Sequence, residues 1–102
     1  MESIIKPMPL LIHGYRLELT CIACPEQYDV YGPADVLVAY FRLRHGRFTV
    51  SVPDYGGKVV YSASPKGDGI FEDSERLGYL TKGIEAVQAH IANFNIDSRT
   101  DY

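Results

Sequence analysis

The stretch Ala39-Tyr40-Phe41-Arg42-Leu43-Arg44-His45-Gly46-Arg47-Phe48-Thr49-Val50-Ser51-Val52 decides the fold. Apolar and polar residues alternate on both sides of His45-Gly46, the period-two mark of half-buried strands. A two-residue His45-Gly46 turn sets Arg44 opposite Arg47, Leu43 opposite Phe48, Phe41 opposite Val50 and Ala39 opposite Val52. Gly46 supplies the positive φ that such a turn needs. The large apolar side chains of both strands then share one face, and Arg42, Arg44 and Arg47 share the other.

The neighbouring turns extend the same face. The loop Asp54-Tyr55-Gly56-Gly57 brings Val52 near Val59 and Val50 near Tyr61. On the other side, Gly32-Pro33-Ala34-Asp35 places Val30 opposite Leu37 and Tyr28 opposite Ala39. The turn Ala23-Cys24-Pro25-Glu26 places Cys21 opposite Tyr28 and Leu19 opposite Val30. One face therefore collects Leu17, Leu19, Cys21, Tyr28, Val30, Leu37, Ala39, Phe41, Leu43, Phe48, Val50, Val52, Val59 and Tyr61. Leu10 to His13, ahead of Gly14, either forms a sixth strand or extends the first.

A sheet with one apolar face needs a cover, and the chain after Phe71 supplies it. Leu77, Leu80, Ile84, Val87 and Ile91 recur at spacings of three and four, as on one side of an α-helix. Asp73 or Ser74 fits its N-cap, and Glu72 and Glu75 suit the positive end of its dipole. Gly83 in the helix interior marks close approach to the sheet. These patterns predict an α+β fold: a five-stranded antiparallel β-meander, or six-stranded, over about residues 10–64, with one C-terminal α-helix over about 73–94 packed on one face. Residues 1–8 and 95–102 are expected as flexible ends.

The chain has 102 residues, which fits a single domain. Its 46 % hydrophobic content is that of a globular protein. No run approaches the roughly 20 apolar residues of a membrane span. Pro9 interrupts the short apolar run from Met8 to Ile12, so no signal peptide is read there and the expected location is cytoplasmic. A formal charge of −3 argues against a general nucleic-acid binder, although a local basic patch can still act as one.

Candidate sites follow from the registers. Arg42, Arg44 and Arg47 crowd the outer face at one hairpin end, with His45 in the turn. Arg44 directly opposite Arg47 is unfavourable for like charges unless something anionic binds there. Thr49, Ser51 and Tyr40 continue that face, and the plainer reading gives the arginines Glu18, Glu26 and Asp29 as partners within the chain. Val36, Val38, Tyr40, Tyr31, Ile22 and Val60 add apolar area to it. Such area calls for a partner protein, a second copy forming a homodimer, or the N-terminal segment folded back. The expected binding residues are thus Tyr31, Val38, Tyr40, Arg42, Arg44, His45 and Arg47.

Other motifs are weaker. Cys21 and Cys24 form C-x-x-C, but a second ligand pair is missing, and the motif lies at a strand end before Pro25 rather than at a helix start. His13, His45 and His90 are scattered. Lys66-Gly67-Asp68-Gly69 matches no phosphate loop, and Asp68, Glu72 and Asp73 lack calcium-loop spacing, so the segment reads as a flexible connector. No nucleophile–base motif is present, so the expectation is a non-enzymatic protein without cofactor or metal.

The block Cys24-Pro25-Glu26-Gln27-Tyr28-Asp29-Val30, followed by Tyr40-Phe41-Arg42-Leu43-Arg44-His45-Gly46-Arg47-Phe48, resembles a family of small proteins from phages and prophages of actinobacteria. Val59-Val60-Tyr61 and Gly67-Asp68-Gly69 fit the same pattern, which covers most of residues 12–92. That resemblance carries no established activity. It implies an accessory protein of a mobile element that binds, and in some cases inhibits, a host protein or complex such as a defence effector, CRISPR effectors included. A meander followed by a helix is also the layout of AP2 and integrase-arm DNA-binding domains, an analogy of architecture alone. The alternative expectation is a small nucleic-acid-binding domain that uses the basic hairpin tip.

Overall fold

A computed structural model describes residues 9–21, 25–54 and 56–99; the side chains of residue 21 and residues 94–99 are outside the description. Six strands form one antiparallel sheet in the order of the chain. They are β1 (Leu10–Ile12), β2 (Tyr15–Cys21), β3 (Glu26–Tyr31), β4 (Leu37–Arg44), β5 (Arg47–Val52) and β6 (Lys58–Ala63). One helix, α1 (Asp73–Arg99), follows and lies over β4, β5 and β6. The α+β meander with a single C-terminal helix is therefore the fold, and β1 is a strand of its own, joined to β2 by a two-residue His13-Gly14 turn. No described helix is long and apolar enough to cross a membrane.

The β4–β5 hairpin matches its sequence reading. Arg44 pairs with Arg47, Leu43 with Phe48 and Phe41 with Val50. His45 and Gly46 both have positive φ, 54° and 73°, as a primed turn requires. Two registers differ from expectation by two residues. Val30 lies opposite Leu17 and Ala39, and Tyr28 opposite Leu19 and Phe41. Cys21 pairs with Gln27 instead of Tyr28, across an irregularity. A shift of two keeps every side chain on its face, so the core was assigned to the correct side with the wrong partners.

Bulges move other residues. Between Val50 and Ser51 the β5–β6 register slips, so Val59 faces Ser51 and is 53 % exposed, while Val60 packs against the core. Val59 is thus no core residue and Val60 is not on the outer face. A second slip, between Val30 and Tyr31, turns Val38 toward the core. One extra residue in a strand reverses the alternation beyond it.

Phe48 is the centre of the core. Its ring meets Phe41 at 5.5 Å, Phe71 at 5.1 Å, Tyr61 at 6.0 Å and Tyr79 at 6.3 Å between centroids, all edge to face. Leu80, Ile84 and Val87 of α1 are fully buried on it, and Ile91 packs at its margin. A Cβ on Gly83 would stand 2.8 Å from the Phe41 ring, so glycine here lets the helix approach the sheet closely. Leu77 is 63 % exposed and does not join the core. The three-residue step from Leu77 to Leu80 puts it about 60° off the buried line, and Arg76 takes the sheet-facing position of that turn.

The cap of α1 sits one residue earlier than expected. The Glu72 carbonyl accepts from the amides of Glu75 and Arg76, and the Glu75 carboxylate accepts in return from the Glu72 amide at 3.0 Å, the reciprocal half of a capping box. The same carboxylate takes the amides of Lys66 and Gly67 at 2.9 and 2.8 Å. Those hydrogen bonds hold the Glu75 carboxyl below its usual range against the opposing effect of burial. The connector is therefore fixed rather than loose; Gly46 and Glu26 also donate their amides to the carbonyls of Asp68 and Gly69. The helix continues to Arg99, beyond the expected end near residue 94. The expectations for residues 1–8, for Ile22 and Cys24, and for the Cys21 side chain lie outside the described residues.

Candidate functional site: the outer sheet face

The face away from α1 is built from lateral rows set by the registers. One row runs Glu18, Asp29, Tyr40, Ser51 across β2 to β5. The next runs Gln27, Arg42, Thr49, Ser62 across β3 to β6. Arg44 and Arg47 close the β4–β5 end. No described element covers these rows.

The seven expected binding residues do not form one patch. Arg44, His45 and Arg47 are exposed at the turn. Arg44 Nε donates to His45 Nε2 at 3.2 Å and Arg47 Nη1 donates to Ser62 Oγ at 2.8 Å. Arg42 is half-buried, and its Nε is buried with no hydrogen-bond partner among the described residues. Among the described residues no carboxylate comes within ion-pair distance of these three arginines. Tyr31 lies under the Arg16 guanidinium, 4.5 Å from ring centroid to Cζ. Tyr40 is buried and its hydroxyl donates to Gln27 Oε1. Val38 packs on the core side, six residues along β4 from Arg44, a separation of about 20 Å in an extended strand. The outward apolar strip is thus dispersed, and the arginine end is the coherent part.

Of the three carboxylates expected to pair with the arginines, Glu18 and Glu26 are engaged elsewhere. Glu18 takes Arg16 Nε at 2.7 Å, and Asp35 takes Arg16 Nη1 at 2.5 Å. Glu26 is on the opposite face, 5 % exposed. It accepts from the Tyr28 hydroxyl, from the Phe71 amide at 3.0 Å and from Arg76 Nε and Nη2 at 2.8 and 3.2 Å. Asp29 has no side-chain partner among the described residues. Burial, with Glu18 directly opposite, pushes its carboxyl above the usual range.

Gln27 and Ser62 are members of this surface that the sequence reading passed over. For Ser62 the signal was available, since Val50 near Tyr61 sets it beside Thr49; for Gln27 it was not, because the expected register set Gln27 opposite Tyr40 rather than Arg42. Beyond the turn, a cleft of about 460 Å³ is lined by Pro25, Arg44, His45, Asp68 and Gly69. Among the described residues no three His, Cys, Asp or Glu side chains converge as a metal site would need. No protein-family model matches the sequence, and comparison with curated proteins and with solved structures gives no match.

Proposed function

We propose that this chain is a non-enzymatic interaction module that uses Arg42, Arg44 and Arg47 on its outer sheet face to engage an acidic surface of a partner protein. The observation that carries this reading is the absence of carboxylate partners for these three arginines among the described residues. Arg16 and Arg76, by contrast, each hold two carboxylates. A guanidinium left without a counter-charge at a rigid hairpin end is well placed for bidentate recognition of carboxylates. The resemblance to phage and prophage proteins makes a host protein or complex, a defence effector for example, the class of partner to seek. The test is capture from host lysate by immobilised wild-type chain and by the triple variant Arg42→Glu, Arg44→Glu, Arg47→Glu, with and without nuclease. The wild type retains a protein partner after nuclease treatment and the folded triple variant does not. Equal capture by both would refute the assignment.

The second reading, a nucleic-acid-binding domain, draws on the row Gln27, Arg42, Thr49, Ser62. Hydroxyl and amide groups beside arginine suit phosphate oxygens. Glu18 and Asp29 alongside would repel an extended polyanion, which places this reading second. Capture lost on nuclease treatment, with binding that weakens steeply as salt rises, would promote it.

A further inference from the structure

Four polar side chains of β4, β5 and β6 meet on the outer face beside the turn. Thr49 lies directly opposite Arg42 on one side and Ser62 on the other. Arg47 precedes Thr49 by two residues, so it stands on the same face of β5. Its Nη1 donates to Ser62 Oγ at 2.8 Å, which draws the guanidinium toward the row of Thr49. A hydroxyl that accepts this bond keeps its own hydrogen to give, so Ser62 is left as a donor. Arg42 is half-buried with its Nε enclosed, so the edge it offers a ligand is that of Nη1 and Nη2. Arg47 and Ser62 are exposed and Thr49 is half-buried, so the patch is open on the turn side. With strands about 4.8 Å apart and alternate residues about 6.8 Å apart, the four positions span about 10 Å by 7 Å. Arg44, opposite Arg47, adds positive charge at the margin.

We infer that this patch binds one phosphate monoester, carried on a phosphorylated serine or threonine of the partner protein. The inference rests on the reading above that the outer arginines are contact groups, and it names the group at the centre of that contact. Arg42 can give two parallel N–H bonds from its Nη edge, Arg47 has N–H groups left over from Ser62, and the two hydroxyls give one each. A phosphate monoester supplies three acceptor oxygens and nearly two negative charges at one point. A carboxylate, with two oxygens and one charge, would leave an arginine and a hydroxyl of this patch unmatched. A nucleic acid spreads single charges along a strand and needs a longer basic track than one hairpin end supplies.

The test is titration of the whole chain with short peptides, followed by amide NMR. A peptide bearing one phosphoserine should bind with a dissociation constant of about 0.1–1 mM at about 0.05 M salt. The shifts should centre on Arg42, Arg47, Thr49 and Ser62. The same peptide with unmodified serine should not bind, and one with two adjacent glutamates, similar in charge, should bind about tenfold more weakly. Ser62→Ala and Thr49→Val keep every charge, and each should weaken the phosphopeptide about threefold or more while leaving the double-glutamate peptide unchanged. Ser62 is exposed, so Ser62→Ala decides alone should Thr49→Val fail to fold by circular dichroism. No phosphopeptide binding, equal affinity for the phosphopeptide and the double-glutamate peptide, or hydroxyl variants that bind like wild type overturns the inference. A single strand of roughly ten nucleotides bound more tightly than the phosphopeptide overturns it in favour of nucleic acid. Treating the lysate with phosphatase separates this inference from the functional reading. Capture that survives phosphatase and is lost in the arginine triple variant sinks the phosphate alone. Phosphopeptide binding alongside equal capture by wild type and triple variant sinks the functional reading alone.

Discussion

Arg76 and Arg42 lie on opposite faces of one sheet and are treated in opposite ways. Arg76 forks onto Glu26, reaches Asp73 at 2.6 Å and donates to the Phe71 carbonyl at 3.0 Å. Glu26 is buried and both of its oxygens are filled, by Arg76 on each and by Tyr28 and Phe71 on one apiece. That cluster fastens the start of α1 to the start of β3. It does so where the connector and the sheet must meet, so its charges belong to the fold. Arg42 has neighbours but no counter-charge among the described residues, and its two companions end on a histidine and a serine. The fold gains little from holding them there. Charge that is satisfied within the chain holds the fold together, and the charge of the outer arginines is what the proposed contact would use.

The comparison can be tested from its strongest element downward. Phe48, which organises the aromatic core beneath both arginine groups, carries the largest effect. Phe48→Ala should lower stability by about 3–5 kcal/mol in urea denaturation, the range for a fully buried aromatic. A loss below about 1 kcal/mol would mean that the core lies elsewhere. Removing the fork comes next. Arg76→Ala leaves a buried carboxylate without its cation and should cost about 2–3 kcal/mol, below the full figure for a buried pair because Arg76 is partly exposed. Glu26→Gln keeps the shape and should cost less than Arg76→Ala, which a parallel denaturation series would read directly.

The smallest effect is one of pH. Burial first, and the adjoining Glu26 carboxylate second, push the Tyr28 hydroxyl well above its usual range. The folded chain therefore holds a proton that the unfolded chain releases near pH 10. Stability from this group is complete below that pH and is lost as pH rises above it. Tyr28→Phe should flatten the alkaline limb of the stability profile above about pH 10, even if it lowers stability at pH 7. An identical alkaline limb in both proteins would show that the tyrosine is not buried against the carboxylate.

The sequence carried the faces further than it carried the partners. The His45-Gly46 turn leaves no freedom, so the β4–β5 pairs were read residue for residue. The β2–β3 and β3–β4 registers each carry an irregularity, between Leu19 and Cys21 and between Val30 and Tyr31, and the expected pairings were off by two. Because both errors were of two residues, Tyr28 and Val30 stayed inside. The alternation that buries Tyr28 also buries Glu26, and only its charge argued for solvent; its partner Arg76 is fifty positions away and invisible to local pattern. Bulges at Val38 and Val60 reverse the alternation through one extra residue, and nothing in the residue types announces them. The arginine cluster was legible as a cluster because all three residues flank one turn. That it lacks carboxylate partners among the described residues was not legible, since it depends on Glu18 pairing with Arg16 and Glu26 with Arg76.

The most direct test of the distinction between the two faces is a side-by-side denaturation of Arg76→Ala and of the triple variant Arg42→Gln, Arg44→Gln, Arg47→Gln. Three outer substitutions should together cost under about 1 kcal/mol, while the single inner one costs about 2–3 kcal/mol. A triple variant destabilised as much as Arg76→Ala would show that the outer arginines are held by the fold, and would contradict the assignment of that face to a partner.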